Sequence, residues 1–249
     1  MPSTPYSPPP APCLLAIAAH RDDVEQTCGG TLLAMQARGY RTAILDLTQG
    51  ESGTRGTAAE RLAEATEAAR LLRVEHREAL DLPDGNVQNT LENRLKIAAV
   101  IRRLRPRVII LPYWQGRHPD HYTSATLGYE ACFLAGLSKV VTPGAPGAAP
   151  HRPFKILYAS LYADVRPTFV VDITPFIETR LASLLAYRSQ YGNQSTGSGL
   201  FVPEEDIRER TIASARHYGM LAGVRYAEPF VQKEVALVDD LVLLPVPSI

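Results

Sequence analysis

Three cysteines in 249 residues, Cys13, Cys28 and Cys132, are too few and too widely spaced for a disulfide framework. They suit reduced thiols and a cytoplasmic setting. No apolar run approaches the roughly 20 residues that cross a bilayer, so no membrane segment is expected. Neither sign of charge is in excess, with Lys plus Arg at 26 and Asp plus Glu at 26. That balance gives no electrostatic case for nucleic acid or an anionic membrane as partner. A Gly-x-Gly-x-x-Gly turn is missing after the first apolar run, where the chain reads Ala18-Ala19-His20-Arg21-Asp22-Asp23. Acidic side chains at that helix start would repel a pyrophosphate, which argues against a nucleotide-binding protein. No internal repeat and no composition break marks a second domain. Residues 1–12 hold Pro2, Pro5, Pro8, Pro9, Pro10 and Pro12. They read as a mobile arm and not as a signal peptide. Residues 13–249 are long enough to bury one sizeable core and read as a single domain.

What is there is alternation. Hydrophobic residues make up 45% of the chain, as in a globular enzyme. Short apolar runs at 13–19, 42–47, 76–80, 108–111, 155–161 and 168–171 read as strands. Amphipathic or apolar stretches at 24–38, 58–72, 91–104, 122–137, 174–187 and 204–221 read as helices. Gly39 is placed to stop the first helix. Leu62, Ala65, Ala69 and Leu72 form the stripe expected to face inward on the second. Leu82-Pro83-Asp84-Gly85 has the chemistry of a turn. The stretches 142–153 and 192–199 read as loops. This order predicts an α/β fold, Rossmann-like, with three α/β/α layers around a mostly parallel central sheet.

In such a sheet, ligands gather where strands end at their carboxyl edge. The first apolar run ends in His20-Arg21-Asp22-Asp23, and the fourth leads to Arg117-His118-Pro119-Asp120-His121. Residues three apart in a first helical turn can face one way. If both junctions reach one sheet edge, His20, Asp23 and His121 can surround one ion. Two imidazoles and a carboxylate suit zinc and leave positions for water and substrate. The same set suits a non-haem Fe(II) centre. Asp22 adjoins one ligand and could act as a general base. His118 adjoins another and could protonate a leaving group, and Asp120 could orient an imidazole. A bound metal would lower the pKa of its water toward ~7 and polarise a carbonyl, which is an apparatus for amide hydrolysis.

Alone, His-x-x-Asp or His-x-x-His is usually a helix cap beside a surface residue. Both motifs following apolar runs in one alternating pattern are much harder to assign to chance. His76, His151 and His217 have no partner motif and read as structural. Cys28 reads as a small packing residue, with Gly29 and Gly30 allowing close approach. Trp114 reads as packing or pocket wall.

The residues His20-Arg21-Asp22-Asp23-Val24-Glu25, the loop 50–57, Leu82-Pro83-Asp84-Gly85 and Arg117-His118-Pro119-Asp120-His121 resemble the LmbE-like, or PIG-L, zinc-dependent N-acetylglucosamine deacetylases. The likeness continues through Val171-Asp172-Ile173-Thr174, Ala186-Tyr187-Arg188-Ser189-Gln190 and Tyr226-Ala227-Glu228-Pro229-Phe230. These later segments resemble the bacillithiol-biosynthesis branch. The resemblance implies zinc on His20, Asp23 and His121, Asp22 as general base, and His118 as acid or oxyanion stabiliser supported by Asp120. It also implies Arg61 as a substrate contact. The implied substrate is N-acetylglucosaminyl malate, with another N-acetyl sugar conjugate or a chitooligosaccharide as the alternative. A homo-oligomer is implied too, hexamers being common in the family. The apolar stretch 235–246 could pack on a neighbour or cover the protomer's own core.

One position departs from the family pattern. Arg21 stands where relatives have Pro or Ala, and it is expected at the pocket mouth, clear of the metal. A metal-binding protein without turnover is the remaining rival, and the presence of Asp22, His118 and Asp120 argues against it.

Overall fold

The computed structural model describes residues 14–144, 146–161, 164–192 and 204–246. The arm expected over 1–12 and most of the loop expected over 192–199 lie outside these residues. A seven-stranded sheet runs through the described chain in the order β3-β2-β1-β4-β5-β7-β6. Its strands are β1 (Leu14–Ala18), β2 (Thr42–Asp46), β3 (His76–Ala79), β4 (Val108–Pro112), β5 (Lys155–Ala159), β6 (Phe169–Asp172) and β7 (Ala227–Val231). The strands β1 to β5 pair parallel with one another. Among the described strands, only β7 runs antiparallel, against both β5 and β6. The expected mostly parallel α/β sheet is therefore present.

The helices are α1 (Asp23–Thr27), α2 (Gly29–Gln36), α3 (Ala58–Leu71), α4 (Leu91–Leu104), α5 (Pro119–Ala135), α6 (Ile177–Leu185), α7 (Arg188–Tyr191) and α8 (Glu204–Leu221). Period-two geometry sends alternate β1 side chains to opposite faces. Leu15 and Ile17 join the core beneath α4 and α5, with Ile97, Ile101, Leu127 and Ala131. Leu14, Ala16 and Ala18 join Val24, Leu32 and Leu33 under α1 and α2. Burial on both faces explains why β1 is an unbroken apolar run. Each fully buried aliphatic side chain adds about 1.5–3 kcal/mol.

The chain leaves β1 toward β2 on one side, whereas β4 joins β1 on the other. The C-terminal ends of β1 and β4 therefore flank the point where strand order reverses. That crevice is where open α/β sheets bind ligands. The segments following β1, β2, β3 and β4 all emerge at this edge.

Three local expectations need correction. The helix expected over 24–38 is two helices, broken at Cys28, whose φ of −145° is not helical. Two adjacent glycines weaken the helix there. Buried Glu228 then caps the second piece, accepting from the Gly30 and Thr31 amides at 2.9 and 2.6 Å. The expected inward stripe on α3 holds at Ala65 and Leu72, which are buried, but not at Leu62, which is 55% exposed; Arg61 and Ala68 are buried instead. Strand β7 lies outside the expected elements, because Pro229 argues against a strand interior. The β5 pairing covers only Phe230 and Val231, so Pro229 stands beyond it.

Among the described residues, no helix is long and apolar enough to cross a membrane. The stretch from Val235 does not cover the protomer's own core: Val235 is 96% exposed and Leu237 91%.

Candidate metal centre

The parallel pairing of β1 with β4 sets Ala16 beside Ile110, and each strand then feeds a helix start. His20 and Asp23 close a tight local ring: the His20 amide donates to Asp23 Oδ2 at 2.9 Å. His118 is the N-cap of α5, with Pro119 in the first turn where its missing N–H is harmless. His121 lies one turn further on and points back to the crevice.

The two junctions meet. His20 Nδ1 lies 3.2 Å from His121 Nε2 and 3.5 Å from Asp23 Oδ2. His121 Nε2 lies 3.2 Å from Asp23 Oδ1. Tetrahedral zinc with bonds of about 2.0–2.2 Å holds its ligands about 3.3–3.6 Å apart. All three distances are within a few tenths of an ångström of that spacing, with Asp23 turning Oδ2 to His20 and Oδ1 to His121. His118 offers a ring nitrogen within 4.8 Å of those of His20 and His121. However, its Nδ1 already accepts the Asp120 amide at 3.2 Å. Both Asp23 oxygens, by contrast, face these two imidazoles, which makes Asp23 the candidate third donor.

Electrostatics point the same way. Burial by itself would lower the His20 pKa, but facing Asp23, with hydrogen bonds to Asp120, Asp23 and Asp84, pushes it up to about 12. Burial would raise Asp23, yet His121 and His20 hold it well below the usual carboxylate range. His121 is raised in turn, Asp23 outweighing burial. A pocket that draws positive charge so strongly, with its donors at ligand spacing, fits a divalent cation. His118 differs: burial, then the neighbouring His20 and His121, push it down. It is therefore the neutral imidazole of the group. Since its Nδ1 accepts a backbone N–H, its proton sits on Nε2.

Asp22 Oδ2 accepts from the Tyr191 hydroxyl and from Gln26 Nε2 at 3.2 Å. Its carboxylate lines a cavity of 480 Å³ that also meets Arg117, Gln190, Tyr191, Arg210 and Tyr218. That volume lies in the ordinary range for small-molecule sites. A second, small cavity of 20 Å³ lies against Asp23 and His121 and is walled by Ala16, Ala18, Val24, Ile110 and Ala159.

Asp120 is held differently from its expected support of His118. Its contact with His118 is through the backbone amide. The carboxylate turns to His20 Nε2 at 3.3 Å and accepts from the Gly85 and Val87 amides at 2.8 and 3.0 Å. Arg61 lies beneath the loop 50–55. It donates to Gln190 Oε1 at 2.8 Å and to the Arg55 carbonyl at 3.3 Å. The loop passes so close that a Cβ on Gly53 would fall 2.0 Å from the guanidinium.

Arg21 is not at the pocket mouth. It is 5% exposed and donates to the Ala58 carbonyl at 3.0 Å. Its backbone carbonyl is what serves the site, accepting from Arg77 Nη2 and the Tyr187 hydroxyl. Arg77 also grips Asp46 at 2.8 and 3.0 Å and Glu25 at 2.6 Å. This buried network clamps the peptide between His20 and Asp22. Sequence reasoning missed Arg77, Tyr191 and Asp84 as parts of the site. Only Asp84 left a signal, an acid in a turn following a strand at the same sheet edge. The other histidines stand elsewhere: His76 pairs with Glu78, His151 meets the Pro106 carbonyl, and His217 packs on Tyr218.

Comparison with known proteins adds an independent line. The family model described as PIG-L, GlcNAc-PI de-N-acetylase, matches residues 15–132, which include both metal motifs. Diacetylchitobiose deacetylase of Thermococcus kodakarensis is 32% identical over 233 residues, covering 86% of this chain and 80% of that protein. The crystal structure of the conserved protein TT1542 from Thermus thermophilus matches with a TM-score of 0.82 and 41% identity, over 91% of this chain and 97% of the other. N,N'-diacetylchitobiose deacetylase from Pyrococcus horikoshii matches with a TM-score of 0.76 and 26% identity, over 89% and 83%. With likeness of this extent across sequence and fold, the chain belongs to the PIG-L, or LmbE-like, family.

Proposed function

We propose that the protein is a metal-dependent deacetylase that removes the acetyl group from an N-acetylglucosaminyl compound. The observation that carries this reading is the ligand-spaced triangle of His20, Asp23 and His121 with Asp22 and His118 beside it. His20, Asp23 and His121 would hold the ion, zinc by preference for this donor set and Fe(II) as the alternative. Such an ion supplies Lewis acidity toward a carbonyl and acidifies a coordinated water.

The remaining chemistry falls to side chains of this chain. Asp22 faces the large cavity and takes the proton from the attacking water. Tyr191 and Gln26 hold its carboxylate in place by the hydrogen bonds described. His118 carries its proton on Nε2, so it donates a hydrogen bond to the developing oxyanion, and the proton that Asp22 takes from the water passes to the departing amine as the C–N bond breaks. Asp120 orients both histidines, one by its amide and one by its carboxylate. Arg61, the expected substrate contact, donates to Gln190 and the Arg55 carbonyl, so in this reading it holds the loop 50–55 in place. The 20 Å³ cavity has room for one methyl-sized group and suits the acetyl methyl. The 480 Å³ cavity receives the sugar and what is attached to it.

Two substrates compete within this reading. The curated relative acts on diacetylchitobiose by its name, which favours a chitooligosaccharide. The later sequence motifs favour N-acetylglucosaminyl malate. Acetate release from both compounds, with and without a chelator, tests the function and ranks the substrates. No chelator-sensitive release from any N-acetyl sugar by zinc- or iron-loaded protein would reject it.

The exposed apolar stretch from Val235 supports contact with a second copy of the chain, since patches of that kind are seldom left in water.

A further inference from the structure

We infer that Asp84 is a positioning residue of the metal centre, fixing which nitrogen of His20 faces the ion and tying that histidine to the loop 49–56. The inference rests on His20 being a metal ligand, as proposed above. The two edges of the His20 ring meet different neighbours. Nδ1 faces His121 Nε2 at 3.2 Å and Asp23 Oδ2 at 3.5 Å. Nε2 faces Asp84 Oδ1 at 3.1 Å and Asp120 Oδ2 at 3.3 Å. A neutral imidazole has one N–H, and a carboxylate can only accept. With an ion bound and the ring neutral, the proton therefore sits on Nε2, between the two acids, and the Nδ1 lone pair is left for the ion. A partner of this kind sets both the tautomer and the basicity of a metal-bound histidine.

His20, Asp84 and Asp120 also bring donor atoms within 4.8 Å of one another and could be read as a second cation site. The hydrogen bonding decides against it. Both Asp120 oxygens already accept backbone amides, from Gly85 and Val87. Asp84 Oδ2 accepts the Ser52 amide at 2.9 Å. From Nε2, Asp84 lies within the ordinary N–H···O range and Asp120 just beyond it. The acids form a cradle for a ring proton.

Asp84 differs from Asp120 in what holds it. Its carboxylate spans two structures, with Oδ1 on His20 and Oδ2 on the Ser52 amide. The Ser52 hydroxyl donates to the Asp84 carbonyl at 3.0 Å, and the Asp84 amide donates to Glu51 Oε1 at 2.9 Å. The turn after β3 is thereby locked to the loop after β2. One side chain thus links the metal ligand to the segment that closes over Arg61. The register of that loop and the aim of His20 are set together.

The test measures zinc affinity by competition with a chromophoric chelator, using the full chain and its Asp84→Ala, Asp84→Asn and Glu51→Ala variants. Circular dichroism checks each fold. Asp84→Ala is expected to weaken zinc binding about 10–100-fold. Asp84→Asn keeps an oxygen that accepts from Nε2–H and is expected to lose less. Glu51→Ala touches only the loop side and is expected to leave zinc affinity unchanged. Imidazole ¹⁵N NMR of the zinc-loaded protein should show His20 protonated on Nε2. Folded Asp84→Ala or Asp84→Asn protein binding zinc as tightly as the unaltered chain in both cases, or a His20 protonated on Nδ1, overturns the inference. Failure of the unaltered protein to bind zinc or Fe(II) would instead overturn the proposed function.

Discussion

His20 Nδ1 and His121 Nε2 lie 3.2 Å apart, although 101 positions separate them in the chain. Neither strand end could hold an ion by itself. The parallel register of β1 against β4 brings both to the same height.

Removing the metal should remove activity and lower stability together. Zinc bound only by the folded chain stabilises it by about 2.7 kcal/mol at 100 times its Kd. Thermal melting with and without a chelator reads this shift. His121→Ala should abolish both the zinc-dependent rise in Tm and stoichiometric zinc by elemental analysis. A zinc-dependent rise undiminished in that variant would place the ion elsewhere.

Asp22→Asn and His118→Ala should retain the metal and lose turnover. Asp22→Asn removes the proton carrier and His118→Ala the oxyanion donor, neither of them a proposed ligand, so kcat should fall by about 10²–10⁴-fold. Metal content and kcat measured on one preparation separate these roles from ligation. Lost metal in either variant would make that residue a ligand.

Acyl length should matter sharply. The cavity against Asp23 and His121 holds 20 Å³, and an extra methylene in a filled site costs about 1–3 kcal/mol. The kcat/KM for N-propionyl and N-butyryl glucosamine should fall in steps of about tenfold or more below N-acetyl. Equal rates would show that the acyl group lies elsewhere. Val24→Ala should relax the preference, because Val24 forms part of the wall.

Arg77→Ala should be among the most damaging substitutions outside the ligands. It leaves Asp46 and Glu25 buried without their cation and frees the Arg21 carbonyl. Removing one member of such a buried pair costs about 3–5 kcal/mol. A urea midpoint shift at constant m-value measures it. Arg21→Ala should leave zinc affinity unchanged, because the service Arg21 gives to the site comes from its backbone.

Deleting residues 235–249 should reduce the mass measured by light scattering if this stretch joins copies of the chain. Lys233 is pinned over the rings of Tyr129, Trp114 and Tyr158 at 4.6–4.9 Å. Beyond it, Leu241, Val242 and Leu243 are exposed by 76%, 89% and 76%. An unchanged oligomeric state would exclude this stretch as the contact between copies.

Local chemistry in the chain determined a good deal. The apolar run at β1, buried on both faces, announced a parallel sheet. Thr57 and Thr90 begin α3 and α4 with side-chain caps, and Gly39 ends the first helical stretch with a φ of +84°. Short-range rules of this kind are written in neighbouring residues. The pairing of His-x-x-Asp with His-x-x-His was legible because each motif follows a strand. What only the tertiary structure decided came from distant residues competing for local groups. Glu228, 198 positions from Gly30, breaks the first helix by capping its second half. Arg77 turns the Arg21 carbonyl inward from 56 positions away. Asp84, legible as a turn residue, becomes the partner of a histidine on another strand end. Buried charges and hydrogen-bond donors must find partners wherever the fold supplies them, and one-dimensional spacing carries no record of that choice.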